Sequence, residues 1–257
     1  MPEGPEIRYE FDKIHKIQGM KMTELVGVSH KLPLPLKITE VGVKGKLVWW
    51  LFENGDGMVV SHGMTGGWIW DEEGGREYSG RWFQPKHNRV RFKFEKGPLL
   101  YFNDMRRFGK VVIGSKEMVM RKVEALGPSV LERPTYQAFW GNFKPSSRPI
   151  GVLLMDQGLV SGIGNYLRAD ILWLARVSPW KKFQDLTEKE KKDIWKASVR
   201  HALYHYNFMK KYGEIYPEGR EKTFLVYGKK KDPNGLEVVA EKMGSRTIHW
   251  VPGWQEG

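Results

Sequence analysis

The chain has no cysteine. Disulfides, thiolate metal ligands and thiol nucleophiles are excluded, while the redox compartment stays undetermined. It also lacks a long uncharged apolar run, so no segment reads as a membrane span, and its acidic start is not the basic and then apolar opening of a secretory signal. Internal repeats and low-complexity tracts are missing too. Acidic residues are in deficit: 30 Asp and Glu stand against 42 Lys and Arg, a net charge of +12. That balance favours a polyanionic partner, nucleic acid first and an anionic membrane surface second. The expectation is a soluble, unexported protein.

What is present is enough to fold. The 257 residues are 40% hydrophobic and include 11 tryptophans, which supports one large core or two modest ones. Residues 36–113 are strand-like, with the β-rich runs KLVWWLF, GMVVSH, RVRFKFE and PLLYFN set between the turn signals ENGDG, TGG and EKGP. Strict alternation in RVRFKFE places Arg89, Arg91 and Lys93 on one face and Val90, Phe92 and Phe94 on the other. From about residue 115 the period becomes helical. KEMVMRKVEAL stops at Gly-Pro, NYLRADILWLARV stops before Ser-Pro, and T-E-K-E from Thr187 has the spacing of a capping box opening a helix to about Lys211. The tail returns to β character around Asp232-Pro-Asn-Gly235, a strong turn tetrad, and reads as a hairpin.

The start MPEGPEIRYEF has helical spacing at Ile7, Phe11 and Ile14, with Pro5 suited to a first turn. That leaves Pro2 and Glu3 without a structural reason. MDQGLVSGIGNYLRADIL sets a glycine-rich turn between apolar helices, so backbone N–H groups and Asn165 lie at a helix N-terminus that favours a phosphate. A dinucleotide fingerprint fails there, because the third glycine and the preceding strand are missing. His201 and His205 are four apart, as metal ligands are, yet Ala202 stands where a zinc protease has its glutamate, which argues against zinc. No G-x-S-x-G elbow supports serine hydrolysis.

Together, MPEGPE, KGK before a strand, HGMTG, NDMRRFG, MDQGLVSGIGNYLRAD and SRTIHWVPGWQ occur in the order of the formamidopyrimidine-DNA glycosylase and endonuclease VIII family, which the chain resembles over almost its whole length. The absence of cysteine makes the endonuclease VIII-like members with a zincless finger, of eukaryotic or giant-virus type, the most similar. The resemblance implies an α+β protein. An N-terminal antiparallel β-sandwich with flanking helices (1–118) would precede a helix-two-turn-helix DNA-binding domain (119–257) ending in a zincless β-hairpin finger (223–257).

It also implies a bifunctional glycosylase and abasic-site lyase acting as a monomer on damaged DNA, duplex or single-stranded, with no membrane, zinc or cofactor. Pro2 would be the nucleophile once Met1 is removed, since an α-amine of pKa near 8 is far more reactive at neutral pH than a lysine near 10.4. Glu3 would move protons, and Lys46, Asn165 and Arg246 would grip phosphates. Met64, Arg106 and Phe108 would fill the gap left by a flipped nucleotide, Arg106 addressing the orphaned partner base. For Met64 and Phe108 the competing reading is core packing. Asp170 stands where the family has glutamate, HGM replaces LGM, and residues 207–219 are short for a base-capping loop. Oxidised pyrimidines and hydantoin or ring-opened purines are the expected lesions, with an 8-oxoguanine-type enzyme or a non-catalytic damaged-DNA binder as the alternatives. A metal-dependent nuclease would need a carboxylate cluster, and none is evident.

Overall fold

The computed structural model describes residues 2–72, 75–76, 84–213 and 223–255. The chain forms two compact units, one of residues 1–2 and 6–125, the other of residues 3–5 and 126–257.

Among the described residues the first unit is built on nine strands: β1 (Lys21–Val26), β2 (Leu36–Lys44), β3 (Leu47–Phe52), β4 (Asp56–Ser61), β5 (Gly66–Glu72), β6 (Gly75–Arg76), β7 (Asn88–Phe94), β8 (Leu99–Asp104) and β9 (Lys110–Ser115). Their order is β6-β5-β8-β7-β1-β2-β3-β4-β9, with antiparallel pairing throughout. The β1–β2 joint is narrow, recording only the partners Lys21–Lys37 and Met22–Leu36. On either side of it the sheet closes face to face. Trp50 of β3 lies 5.5 Å from Trp68 of β5 and 4.9 Å from Phe92 of β7, ring centre to ring centre, which is the interior of a sandwich. The alternation read in RVRFKFE holds. Val90, Phe92 and Phe94 are buried in that interior, and Arg91 pairs with Glu24 at 2.6 Å on the outer face. Helix α1 (Gly4–Ile14) supplies Ile7 and Ile14 to the same core, and α2 (Lys116–Glu124), capped by Ser115, covers Leu51 and Val59 with Val119.

The second unit carries α3 (Tyr136–Trp140), α4 (Ile150–Leu153), α5 (Asn165–Ala175), α6 (Glu188–Tyr212), strands β10 (Val239–Met243) and β11 (Arg246–Trp250), and α7 (Pro252–Gln255). The capping box is present: Thr187 Oγ1 accepts from Glu190 N, and Glu190 returns its carboxylate to Thr187 N at 2.8 Å. Helix α6 then runs one residue past the expected end.

One expectation needs correction. Asp232-Pro-Asn-Gly235 does form a turn, closed by Asp232 Oδ1 on the backbone N–H of Asn234 and Leu236, but it is flanked by a lone bridge between Lys231 and Glu237. The finger hairpin reverses at Gly244–Ser245, where Met243 pairs with Arg246 and Gly244 takes φ +61°. Val226, Met243, Ile248 and Trp250 are buried beneath it, with Leu225 and Val238 packed alongside, so the finger has an apolar core. The part of 207–219 from residue 214 onward, read above as a short capping loop, lies outside the described residues, as do 256–257 of the expected finger.

Candidate active site and nucleic-acid interface

The first four N–H groups of any helix lack partners within it. Helix α5 begins after Gly164, which has no capping side chain of its own. The cap comes from the other end of the sequence. Glu3, 1% exposed, accepts from Gly164 N at 2.8 Å and Leu167 N at 3.2 Å through Oε2, and from Tyr166 N at 2.9 Å through Oε1. The anion expected on this helix start is therefore a carboxylate of the chain itself, stabilised by three N–H groups and the positive end of the helix.

The glycines of GIG acquire a reason from this contact. A Cβ at Gly164 would sit 2.2 Å from Glu3 Cδ, and Gly162, at φ +97°, offers its carbonyl to Gly4 N at 2.8 Å. Pro2, bonded to Glu3, is buried.

Two further residues extend the site. Arg168, which the sequence reading did not single out, is buried in α5 and donates to Gly151 O at 2.9 Å and to Asn165 Oδ1. Burial pulls its guanidinium down to about 10. The nearby Glu3 carboxylate opposes that shift and the Arg246 cation adds to it. Asn165 is 7% exposed and its Nδ2 donates to Thr247 O at 2.9 Å, so its amide links the start of α5 to β11. Arg246, the first residue of β11, is exposed. The signal for Arg168 was a cation inside the largely apolar run NYLRADIL, where the other charge is Asp170.

In the sheet unit, Lys46 is half-buried in the two-residue turn between β2 and β3. Met64 lies between β4 and β5, half-buried, and Arg106 and Phe108 lie between β8 and β9. Phe108 is 53% exposed, and the Arg106 guanidinium stands 4.9 Å from its ring centre. The core-packing reading fails for Phe108.

These two loops are bound together by Asp104, a second residue the sequence reading passed over. Its carboxylate, 1% exposed, accepts from Thr65 Oγ1 at 2.5 Å, Arg106 N at 3.2 Å and Gly109 N at 2.7 Å. Gly63, at φ +59°, lets the loops touch, since a Cβ there would meet the Phe108 carbonyl carbon at 2.4 Å. Next to Met64's loop, His62 is buried against Trp68 and Phe102, and neither ring nitrogen has a hydrogen-bond partner among the described residues. Desolvation lowers its pKa to about 4.

Comparison with known proteins gives the family. Residues 1–111 match the N-terminal domain of formamidopyrimidine-DNA glycosylase, 126–203 its H2TH domain and 213–256 its C-terminal domain. The glycosylase of Thermus thermophilus is 31% identical over 211 residues, 77% of this chain and 73% of that protein, and that of a Wolbachia from Brugia malayi is 29% identical over 91% and 90%. Among solved structures, Lactococcus lactis Fpg with abasic-site DNA superposes with a TM-score of 0.81 at 21% identity, covering 99% of this chain and all of that one.

The chain belongs to the formamidopyrimidine-DNA glycosylase family. It is a DNA glycosylase of base excision repair, in a family whose members also have abasic-site lyase activity. Its fold, an antiparallel sheet unit followed by an H2TH unit with a small C-terminal hairpin, is that of the family. No helix among the described residues is long and apolar enough to cross a membrane.

Proposed function

We propose that the protein excises an oxidised base through a covalent bond from Pro2 and then cleaves the strand by β- and δ-elimination. The observation that carries this reading is Glu3. A carboxylate held by three backbone N–H groups is fixed beside the residue whose amine is freed when Met1 is removed. The Pro2 nitrogen attacks C1′ of the flipped nucleotide, and the glycosidic bond breaks with its electron pair leaving on the base, which takes a proton from water. The Glu3 carboxylate takes the proton shed by that nitrogen and passes it to O4′ as the sugar ring opens. Because the amine is secondary, the product is a charged iminium, an electron sink that acidifies the C2′ proton and lets the 3′ phosphate leave.

In this reading Lys46, Asn165 and Arg246 hold phosphates, Met64 and Phe108 fill the vacated stack, and Arg106 faces the partner base. The DNA partner is supported by the net charge of +12 and by family membership. For the lesion we favour oxidised pyrimidines and ring-opened or hydantoin purines. Lactococcus Fpg has been solved with an oxidised pyrimidine and with Fapy-dG, and HGM here departs from the usual LGM. The zincless endonuclease VIII-like assignment belongs to this proposal, and an 8-oxoguanine-type formamidopyrimidine glycosylase is the second reading; the curated relatives are named formamidopyrimidine-DNA glycosylase. Incision of duplex and single-stranded oligonucleotides, each bearing one lesion, separates them. Faster cutting of 8-oxoguanine than of thymine glycol or hydantoins would select the second.

A further inference from the structure

The helical unit gathers three side chains that the proposed chemistry does not use. His201 and His205 stand one turn apart on α6 and converge with Asp170 of α5. His201 Nε2 is 3.1 Å from Asp170 Oδ2 and 3.1 Å from His205 Nε2. One donor atom from each of the three lies within 4.8 Å of the other two, and all three residues are buried.

Three polar atoms converge at this point. His205 Nδ1 lies 3.4 Å from Thr223 Oγ1, and a hydrogen on Nδ1 pointed at that hydroxyl leaves a lone pair on Nε2. The lone pair then faces His201 Nε2, which also faces a carboxylate oxygen. A single N–H on His201 would be divided between two acceptors at the same 3.1 Å, whereas a divalent cation would engage all three atoms at once. Two of the three donor spacings, 3.1 Å each, lie near the roughly 3.3 Å that separates two ligands about 2.0–2.1 Å from a tetrahedral zinc, and the third is within 4.8 Å. The donor set suits it as well, two imidazoles with one carboxylate.

Outer hydrogen bonds of the kind that orient metal ligands are in place. Thr223 sits on the far nitrogen of His205, and the backbone N–H groups of Leu225, Val226 and Tyr227 lie on the Asp170 carboxylate at 3.0, 3.0 and 3.1 Å.

We infer that Asp170, His201 and His205 form a three-ligand zinc site, its fourth position left to water, that ties α5 and α6 to the segment leading into the finger. Ala202, where a zinc protease has glutamate, removes the general base but no ligand. The third donor comes from a different helix, which the spacing of the histidines does not reveal. The site is separate from the finger hairpin, beneath which Met243, Ile248 and Trp250 are buried.

The test is metal analysis of untagged protein together with thermal unfolding, neither of which depends on DNA or on catalysis. The expected result is one zinc per chain, a melting temperature that falls on prolonged chelation and recovers with zinc, and loss of the metal in His201→Gln and His205→Gln. If those variants do not fold, cobalt added to chelated wild-type protein decides. Strong visible bands of tetrahedral cobalt, undisturbed by thiolate in a chain without cysteine, support the site. Protein with no zinc, no cobalt bands and a melting temperature indifferent to both chelator and zinc would overturn it.

Discussion

Replacing Glu3 by glutamine removes a charge and one acceptor while keeping the shape, and the structure sets the size of the effect. The amide keeps most if its oxygen takes the Oε2 position, which serves both Gly164 and Leu167. Its NH2 group then faces the N–H of Tyr166, where two donors meet and one bond is lost. A charge-assisted bond of this kind contributes about 1.5–3 kcal/mol. Withdrawing the negative charge from the start of a helix costs about 0.3–1 kcal/mol more. The expected loss is about 2–4 kcal/mol, and for a chain of this length each kcal/mol lowers Tm by about 2–4 °C. Circular dichroism melts without DNA should therefore place Glu3→Gln about 5–15 °C below wild type. A Gln variant melting with wild type would refute the claim that α5 is capped by this carboxylate. Base excision should suffer more than cleavage of a preformed abasic site, since only excision requires the base to depart. Equal losses would remove the special role of Glu3.

Gly164→Ala should reproduce the excision defect without removing any catalytic group, because its Cβ occupies the place of the Glu3 carboxyl; excision at the wild-type rate would contradict the close approach. Asp104→Ala should erode discrimination of the base opposite the lesion by freeing the loop that carries Arg106, with abasic-site cleavage largely kept, as read by incision against the four partner bases. His62 supplies a pH test. Its folded pKa of about 4 lies below the unfolded 6.5, so the unfolded chain binds the extra proton and stability falls as pH drops from about 6.5 to 4. The shift corresponds to about 3 kcal/mol, and His62→Leu should flatten that part of the stability curve in denaturant titrations; an unchanged slope would show that His62 is charged or solvated in the fold.

Local signals in the sequence identified much of the architecture. The capping box at Thr187, the Ser-Pro stop after α5 and the alternation of residues 89–94 each depend on neighbours a few positions apart, and each is present in the fold. The finger shows where local chemistry misleads. Asp-Pro-Asn-Gly is the stronger turn signal, yet the hairpin register follows the cross-strand pairs from Val239–Trp250 to Met243–Arg246, which put Ile248 and Trp250 against the core. The contacts that the sequence reading missed act at long range. Glu3 caps a helix 161 positions away, Asp104 braces a loop 39 positions away through Thr65, and Asp170 meets His201 across 31. Periodicity carries no information about such pairings. Arg168 and Asp104 stand in the sequence as charges beside apolar residues, and only burial gives them a function.

The central claim is that Pro2 carries the covalent chemistry. Borohydride added during reaction with lesion-bearing DNA should reduce the iminium to a stable amine, and peptide mass mapping of the trapped complex should find the deoxyribose remnant on the N-terminal proline, with trapping greatly reduced in Pro2→Gly and in protein whose N-terminus is blocked by an uncleaved tag. A remnant mapped to a lysine side chain, or efficient trapping by the blocked protein, would contradict the account.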